Sequence, residues 1–367
     1  MTVPTARTAP GASAVPTAPT APTALTVPTA SPAPAATPGT AASPLTVAVL
    51  GGTGFVGTAV SKALIDRGHT VLAVARTPRP VADGARFVPL DLAAARPDEL
   101  AATLRAHGVG AVVNAAGGMW GLTEAQMVDA NVTLVAHLLE AVAALPGPVR
   151  VVQLGSVHEY GLAPLGTSMT ESYVPEPVMP YGKLKLECSN LVLDAAARGA
   201  VDGVVLRVGN VVGAGQPGHS LLGVVAGRLL AARAAGHADL TFGALVSLRD
   251  FLPLTDAAEA VAAAVTAPAV AGQVVNIGTG HAHNARQLVR MLIDASGIPA
   301  TLTEAEAPGP ETDWQQMGIG KAADLLGWAP RRTLADAIAE LWAAAVAEAE
   351  SGADTGADTS AGTGAGR

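Results

Sequence analysis

Short apolar runs alternate along the chain with segments in which apolar residues recur at helical spacing. The first run, Leu45–Leu50, suits one buried strand, and apolar side chains then recur every three or four positions from Val56 to Leu64. Further strand patterns cover residues 70–75, 86–90, 111–114, 149–154 and 203–208, and helical patterns begin near Asn131 and Pro180. This alternation predicts an α/β fold with a doubly wound parallel sheet.

The two ends of the chain differ from the middle in composition. Residues 1–44 are rich in Pro, Ala and Thr and hold almost no large apolar side chains, so we predict a disordered arm. After residue 349 the chain is a low-complexity mixture of Gly, Ala, Asp and Thr, and we predict a disordered tail over 349–367. The folded body is therefore expected at about 45–348.

Composition and charge exclude several classes of function. A net charge of −8 gives no electrostatic reason to expect nucleic acid or an anionic membrane as partner. No apolar run approaches the roughly 20 residues that span a bilayer. The single cysteine excludes an intrachain disulfide and a cysteine metal cluster, and the eight histidines show no close ligand spacing, so no metal site is expected. These features predict a soluble cytoplasmic protein.

The glycines after the first strand form a dinucleotide-binding motif. Gly51 permits a tight turn, Gly54 lets backbone amides approach a pyrophosphate, and Gly57 lets helix and strand pack closely. The N-terminus of the following helix would then face the phosphates. The cofactor contacts predicted in this turn are Gly51, Thr53, Gly54, Phe55, Val56 and Gly57.

The end of the second strand indicates which cofactor is bound. Ala75 stands where NAD-binding units carry an acidic residue for the ribose, and Arg76 follows it. An arginine attracts a 2′-phosphate, which favours NADP(H), with NAD(H) still possible; the alternative is that Arg76 is a solvated loop residue. Further contacts are expected from Asp91 (or it is a plain turn residue), Leu92, Ala115, Ala116, Gly117 and Asn131. Asn131 is either a helix N-cap or part of a proton-relay network.

Tyr181 and Lys185 are the strongest candidates for chemistry. Four residues apart on a helix, they leave the same face. A phenol has an unperturbed pKa of about 10, and a lysine cation beside it favours the phenolate. Ser156, just past the end of a strand, can hydrogen-bond a carbonyl oxygen between itself and the phenol. The three side chains suit proton transfer to or from an oxygen. On the same helix, Cys188 is expected to be a small core residue.

In this order the motifs resemble those of extended short-chain dehydrogenases/reductases of the NAD-dependent epimerase/dehydratase type. The resemblance spans essentially residues 45–345 and includes 51–57, 114–117, 155–161, 180–185, 206–213, 249–251 with Asp256, 275–280 and 326–330. It implies a Rossmann domain at 45–212 and a smaller, mainly substrate-binding domain at 213–348, with segments returning to the first sheet. It also implies a Ser156, Tyr181 and Lys185 triad, a nucleotide-sugar substrate and a homodimer.

Departures from the family pattern reduce the number of reactions to be expected. Val157 and His158 stand where sugar 4,6-dehydratases carry Asp-Glu, which argues against dehydration. His158 is either a proton carrier or a pocket-wall residue, and Gly215 stands where a double epimerase would carry a second histidine. Arg249 matches one of the arginines that usually grip the diphosphate; the alternative is a surface ion pair with Asp250. The second arginine is missing, with Glu311 and Asp313 in its region 308–313.

The sequence thus favours NADPH-dependent reduction of a keto group on a nucleotide-activated deoxysugar, with C4 as the expected position. Substrate contacts are expected from Ser156, His158, Asn210 and Arg249. The main alternative is an NAD-dependent nucleotide-sugar 4-epimerase, which Arg76 argues against. A non-catalytic NADP-binding sensor is a third hypothesis, and a substrate that is not a sugar remains open.

Overall fold

The structure, a computed structural model, describes residues 43–119, 121–307 and 313–360. The predicted arm up to residue 42, Pro308, Glu311 and the last seven tail positions, 361–367, lie outside the described residues. The strands are β1 (Thr46–Leu50), β2 (Thr70–Ala75), β3 (Arg86–Pro89), β4 (Ala111–Asn114), β5 (Arg150–Ser156), β6 (Ser168–Met169), β7 (Asp202–Val208), β8 (Asn210–Val212), β9 (Ala238–Phe242), β10 (Leu248–Pro253), β11 (Val274–Ile277), β12 (Ala282–Asn284), β13 (Ala300–Glu304) and β14 (Trp314–Met317).

The helices alternate with these strands in the first part of the chain. They are α1 (Phe55–Asp66), α2 (Pro97–Ala106), α3 (Glu124–Val128), α4 (Leu134–Ala143), α5 (Pro180–Ala197), α6 (Leu221–Ala232), α7 (Leu254–Thr266), α8 (Ala285–Ser296), α9 (Gly320–Leu326) and α10 (Leu334–Ser360). A π-helical turn, Asp129–Thr133, joins α3 to α4, and a single 3-10 turn, Val157–Glu159, follows β5.

The main sheet has seven strands in the order β11-β7-β5-β4-β1-β2-β3, all paired in parallel. Strand order reverses beside β1, where ligands bind in open α/β sheets. The strands consist largely of buried Val, Leu and Ala, as expected for a parallel sheet covered on both faces. This confirms the doubly wound parallel sheet predicted from the alternating pattern.

Two layers of helices cover the main sheet. Buried side chains of α1 and α7 pack in one apolar cluster, and those of α2, α4 and α5 pack in the other. Cys188 of α5 is 1% exposed within the second cluster, as a core residue should be. Helix α5 therefore has one apolar face against β5 and β7, which fixes where its polar residues can point.

Two smaller sheets lie in the second half of the chain. One has five strands, with β12, β10, β14 and β6 in a row and β8 paired to β10; the other pairs β13 with β9. Helices α6, α8 and α10 share a separate apolar core with β9. Strand β11 lies in the main sheet beside β7, although it comes late in the chain. The boundary between the two domains at about residue 212 stays a prediction.

Two sequence expectations differ from the structure. Asn131 is not a helix N-cap: α3 already begins at Glu124 with Thr123 as its cap, and Asn131 lies in the π-helical turn. Its side-chain amide donates to the carbonyl of Met127, four residues earlier, a contact that helps to explain the local widening of the helix. The tail is also helical further than expected, because α10 continues past residue 349 to Ser360.

Candidate active site

The turn between β1 and α1 has a backbone that only glycine can form without strain or clash. Gly51 has φ of 75°, in the left-handed region. A Cβ atom at Gly57 would lie 2.1 Å from the carbonyl oxygen of Gly51. Gly54 is the N-cap of α1, and its amide donates to the Gly51 carbonyl at 2.9 Å. The tight turn therefore brings the N-terminus of a 12-residue helix against the end of β1.

A cavity of about 590 Å³ opens at this turn. Eight of the residues predicted to contact a cofactor line it: Gly51, Thr53, Arg76, Asp91, Leu92, Ala115, Ala116 and Gly117. Ala75, at the ribose position, lines it as well. Its volume lies within the usual range for a small-molecule or cofactor site. The glycine cradle and the helix N-terminus beside the cavity fit a dinucleotide.

Several cavity residues were missed by the sequence reasoning. Thr77 and Arg79 follow Arg76 in the same loop, and Gln126 and Asp129 approach from α3 and the π-helical turn. Arg79 had a signal, since a second arginine three positions after the first would also favour a phosphate. No sequence pattern indicated Gln126 or Asp129, because only the path of the chain after β4 brings these residues to the cavity.

The remaining predicted cofactor residues lie outside the lining of this cavity. Gly54, Phe55, Val56 and Gly57 form the turn and the first turn of α1, while Tyr181 and Lys185 lie on α5. Asn131 is 3% exposed and lies behind the cavity wall, because a Cβ atom at Gly117 would be 2.6 Å from its Oδ1. Its amide donates to the carbonyl of Gly118 at 3.0 Å, which ties the π-helical turn to the wall.

Tyr181 and Lys185 lie on one face of α5, as the spacing predicts. The Lys185 Nζ lies 5.9 Å from the centroid of the Tyr181 ring, and the lysine side chain is 5% exposed. Ser156 ends β5 and is 8% exposed. The ammonium is therefore within the distance at which a cation interacts with an aromatic ring.

The end of β5 and the first turn of α5 meet closely. The His158 ring lies edge-on to the Tyr181 ring with centroids 6.2 Å apart. A Cβ atom at Gly182 would lie 2.4 Å from the carbonyl oxygen of His158, so the glycine between Tyr181 and Lys183 permits this approach. The contact brings Tyr181 and Lys185 to the 3-10 turn that starts at Ser156. The predicted triad therefore lies on two elements that touch.

On its other side His158 is close to an ion pair between Arg249 and Asp313. Burial lowers the pKa of His158; the charge of Arg249 lowers it further, while Asp313 opposes the shift. The imidazole is therefore favoured in its neutral form, in which it can donate one hydrogen bond and accept another.

Arg249 does not pair with Asp250, so the expected alternative of an ion pair between these neighbours is wrong. The Asp250 carboxylate is fully buried and accepts hydrogen bonds from the Thr279 hydroxyl and the amides of Thr279 and Gly280. Burial raises the pKa of Asp250, and these hydrogen bonds oppose the shift. Asn210 reaches the same region, because its amide donates to the Asp250 carbonyl at 3.3 Å.

Comparison with known proteins now bears on this geometry. Residues 47–278 match the NAD dependent epimerase/dehydratase family. The chain belongs to this family. As a member it is an NAD(P)-dependent enzyme of the extended short-chain dehydrogenase/reductase type, and the sensor hypothesis is set aside.

Three proteins illustrate the relationship. A dTDP-6-deoxy-L-talose 4-dehydrogenase (NAD(P)(+)) from Kitasatospora kifunensis is 55% identical over 303 residues, 81% of this chain and 95% of the relative. A UDP-glucose 4-epimerase from Azospirillum brasilense is 28% identical, covering 80% of this chain and 89% of the relative. The solved structure of MoeE5 in complex with UDP-glucuronic acid and NAD is 27% identical, with a TM-score of 0.69, covering 82% of this chain and 99% of that one.

The three proteins share a class of ligand. The names of all three include a nucleotide sugar, the talose dehydrogenase is named for NAD(P)(+), and the MoeE5 structure contains NAD. In the part of the chain that the structure describes, no helix has both the length and the apolarity needed to cross a membrane. Within the same residues, no group of three or more His, Cys, Asp or Glu side chains is arranged to hold a metal ion.

Proposed function

We propose that the protein transfers hydride at C4 of a dTDP-linked 6-deoxysugar, reducing a 4-keto group to a hydroxyl with NADPH. The observation that carries the proposal is the 55% identity, over 81% of this chain, to a dTDP-6-deoxy-L-talose 4-dehydrogenase. The Ser156, Tyr181 and Lys185 arrangement supports it, because reduction of a ketone needs a proton for the new alkoxide oxygen.

The nicotinamide, when bound, supplies the hydride. Tyr181 donates the proton to the carbonyl oxygen as that oxygen gains charge. Lys185 stabilises the phenolate that remains, since its ammonium lies 5.9 Å from the ring centroid and is shielded from water. Ser156 donates a hydrogen bond to the same carbonyl oxygen and so stabilises its negative charge in the transition state.

Two regions would hold the two ligands. The cavity at the glycine turn would bind the dinucleotide, with Arg76 and Arg79 beside the adenosine ribose. The group formed by His158, Asn210 and Arg249 would face the sugar nucleotide, and the Arg249 guanidinium would meet its diphosphate. The NADP preference rests on Arg76, as the sequence indicates.

An NAD-dependent 4-epimerase is the second candidate, because relatives at 28% identity include UDP-glucose 4-epimerases. An epimerase uses the same three side chains but retains its cofactor, which is reduced and reoxidised within one turnover. Arg76 argues against it, since tightly held NAD has no 2′-phosphate for an arginine to meet.

The test is a direct assay of the purified full chain. The protein is mixed with dTDP-6-deoxy-L-talose and either NADP⁺ or NAD⁺, reduced nicotinamide is followed by absorbance, and NMR identifies the product. Reduction is measured with the resulting 4-ketone and NADPH. UDP-glucose serves as the parallel substrate.

We expect stoichiometric reduction of NADP⁺ and formation of the 4-ketone. Conversion of UDP-glucose to its C4 epimer without net change of cofactor would overturn the reductase and support the epimerase. No reaction with any nucleotide sugar, combined with normal NADPH binding, would show that the substrate is not a sugar nucleotide. A cytoplasmic location and a homodimer formed through α5 and its neighbour stay predictions.

A further inference from the structure

The 3-10 turn after β5 is closed by two hydrogen bonds of Ser156, one to the Glu159 side chain and one from the His158 amide. The Ser156 amide donates to Glu159 Oε1 at 2.8 Å, and the Ser156 hydroxyl oxygen accepts from the His158 amide at 3.2 Å. This pattern is a capping box, here on a single turn. It holds both the backbone and the side chain of the residue that the proposed function assigns to the carbonyl oxygen.

The turn determines what the Ser156 hydroxyl can do. A serine hydroxyl has one hydrogen to donate and two lone pairs that accept. Among the described residues, the Ser156 hydroxyl oxygen accepts from the backbone of its own turn, with the His158 amide at 3.2 Å. Accepting that bond fixes the oxygen while leaving the hydrogen to be donated. A donated hydrogen bond is what a carbonyl oxygen gaining negative charge requires.

Glu159 is held from behind by Arg207. The carboxylate is fully buried, Arg207 is 4% exposed, and Arg207 Nε donates to Glu159 Oε2 at 2.8 Å. Arg207 lies on β7 opposite Gly155 of β5, so the pair joins the turn after β5 to the neighbouring strand of the main sheet. Burial raises the pKa of Glu159, and Arg207 opposes that shift.

Arg207 is itself fixed by the aromatic ring beside it. Its guanidinium carbon lies 4.4 Å from the centroid of the Tyr160 ring, and Tyr160 donates from its hydroxyl to Asn276 Oδ1 at 2.7 Å. Asn276 in turn donates to the carbonyls of Met169 and Gly318. The carboxylate behind Ser156 therefore belongs to a continuous buried network with little freedom to move.

The backbone of Gly155 lies directly against the Glu159 carboxylate. A Cβ atom at Gly155 would lie 2.4 Å from Glu159 Oε1, closer than such atoms approach in real proteins. The glycine before the serine therefore leaves room for the carboxylate. Gly155, Ser156 and Glu159 thus act as one local unit, with a signal in the sequence Gly155-Ser-Val-His-Glu159.

A contribution to folding stability alone does not account well for the buried ion pair of Glu159 and Arg207. Replacing a buried ion pair by apolar residues of similar volume is often neutral or stabilising, because desolvation of the charges offsets their attraction. The carboxylate here does something an apolar side chain cannot do, which is to accept the hydrogen bond of the Ser156 amide.

We propose that Glu159, held by Arg207, is a positioning residue that sets the Ser156 hydroxyl as a hydrogen-bond donor to the substrate carbonyl oxygen. The inference rests on the proposed function, because it assumes that Ser156 meets this oxygen. Neither Glu159 nor Arg207 touches the substrate; both act through Ser156.

Two double variants isolate the hydrogen bond from the charge. Glu159→Val with Arg207→Met removes the pair without leaving an uncompensated charge. Glu159→Gln with Arg207→Met also removes the charges but keeps an amide oxygen that can accept from the Ser156 amide. The two proteins therefore differ mainly in whether residue 159 holds Ser156.

A matched control breaks an ion pair that links β5 directly to β7. Arg150 and Asp202 form an ion pair at 2.8 Å at the opposite ends of β5 and β7, away from the site. Arg150→Met with Asp202→Val should lower the melting temperature without a change in kcat. It controls for a general effect of loosening the sheet.

We expect the valine double variant to fold but to lose about 10- to 100-fold in kcat, with an unchanged KM for NADPH, because Ser156 is misplaced. The glutamine double variant should keep clearly more of the activity. In a Ser156→Ala background, the valine double variant should cause no further loss, since residues that act through one another are not additive. Wild-type kcat in the valine variant, or a loss that adds fully to Ser156→Ala, would overturn the inference.

Crystal structures of the two double variants give a readout that needs no activity. The valine variant should show the Ser156 side chain in a changed rotamer or in more than one, and the glutamine variant in one. An unchanged single rotamer in the valine variant would overturn the positioning role. If wild type reduces no nucleotide sugar, the proposed function fails, and this structural comparison still decides the inference.

Discussion

The guanidinium of Arg249 forms an ion pair with the carboxylate of Asp313, 64 residues further along the chain. Asp313 also accepts from the Ser247 hydroxyl at 2.8 Å. Arg249 Nη1 and Asp313 Oδ1 are buried and have no hydrogen-bond partner among the described residues. The Asp313 carboxylate thus already pairs with Arg249, the arginine that would bind the diphosphate in the proposed function.

Removing this acid should tighten binding of the nucleotide sugar. Asp313→Asn takes away a negative charge beside the diphosphate site and leaves Arg249 its full positive charge. We expect a lower KM for the sugar nucleotide, whereas Arg249→Ala should raise it about 10- to 100-fold by loss of a charge-assisted hydrogen bond. Steady-state kinetics at saturating NADPH measures both.

The exposed Asp324 on α9 offers a control of the same charge, and Asp324→Asn should leave this KM unchanged. A higher KM in Asp313→Asn would mean that Asp313 orients the Arg249 guanidinium and does not compete for it. The two outcomes are of opposite sign, so one measurement separates them.

The two lysines near the start of α5 allow a matched test of the proposed chemistry. Lys185 is buried beside Tyr181, whereas Lys183 is exposed on the same helix. Lys185→Met should lower kcat strongly because the phenolate loses its nearby cation, and Tyr181→Phe should lower it about 100- to 10,000-fold by removing the proton donor. Lys183→Met should behave as wild type.

Fluorescence titration with NADPH shows whether these variants still bind the cofactor. Tyr181→Phe with normal NADPH binding and wild-type kcat would contradict the assignment of Tyr181 as proton donor. Equal losses in Lys183→Met and Lys185→Met would point to a general effect of charge on the helix.

The features predicted well from the sequence are those set by neighbours in the chain. The strand, glycine turn and helix around Gly51 follow from local periodicity and from the backbone that glycine alone permits. The placing of Lys185 next to Tyr181 follows from helical spacing. In both cases the main physical reason lies in residues that are neighbours in the chain.

Contacts between distant residues could not be predicted in this way. The pairing of Arg249 with Asp313 depends on the pairing of β10 with β14, which no local pattern indicates. Arg207 lies in an otherwise apolar strand, where a charge could mark either a bend or a buried partner. Asn131 at the start of an apolar run suggests a cap, and only the contact of its side chain with Met127 shows otherwise.

Arg76 should decide between the two nicotinamide cofactors. Its side chain is exposed at the rim of the cavity, where a 2′-phosphate would be met by charge and by a planar set of donors. Arg76→Ala should raise KM for NADPH about 10- to 100-fold and leave KM for NADH nearly unchanged. Arg105→Ala, on an exposed arginine at the end of α2, is the control for net charge.

If Arg79 shares the phosphate, Arg79→Ala should show a similar but smaller effect, and the double variant the largest. A protein that prefers NADH before any substitution, or arrives with bound NAD, would contradict the NADPH preference and favour the epimerase. Equal loss for both cofactors in Arg76→Ala would mean that Arg76 supports the fold of the loop.

His158 should make folding stability depend on pH. Because burial, with help from Arg249, lowers its pKa, the unfolded chain binds a proton near pH 6.5 that the folded protein does not. The free energy of unfolding should therefore fall as the pH drops through about 6.5, and this contribution should level off below the lower pKa of the folded state. The pKa values of His69 and His283 are also lowered, mainly by burial, so wild type combines all three effects.

The part due to His158 follows from comparison of wild type with His158→Gln. Urea unfolding measured between about pH 5 and 8 should give a shallower loss of stability on acidification in the variant, because one group that the folded state keeps neutral is gone. If His158→Gln and wild type lose stability in parallel, His158 binds its proton as readily in the folded protein as in the unfolded chain, which contradicts a role as a residue kept neutral by burial beside Tyr181.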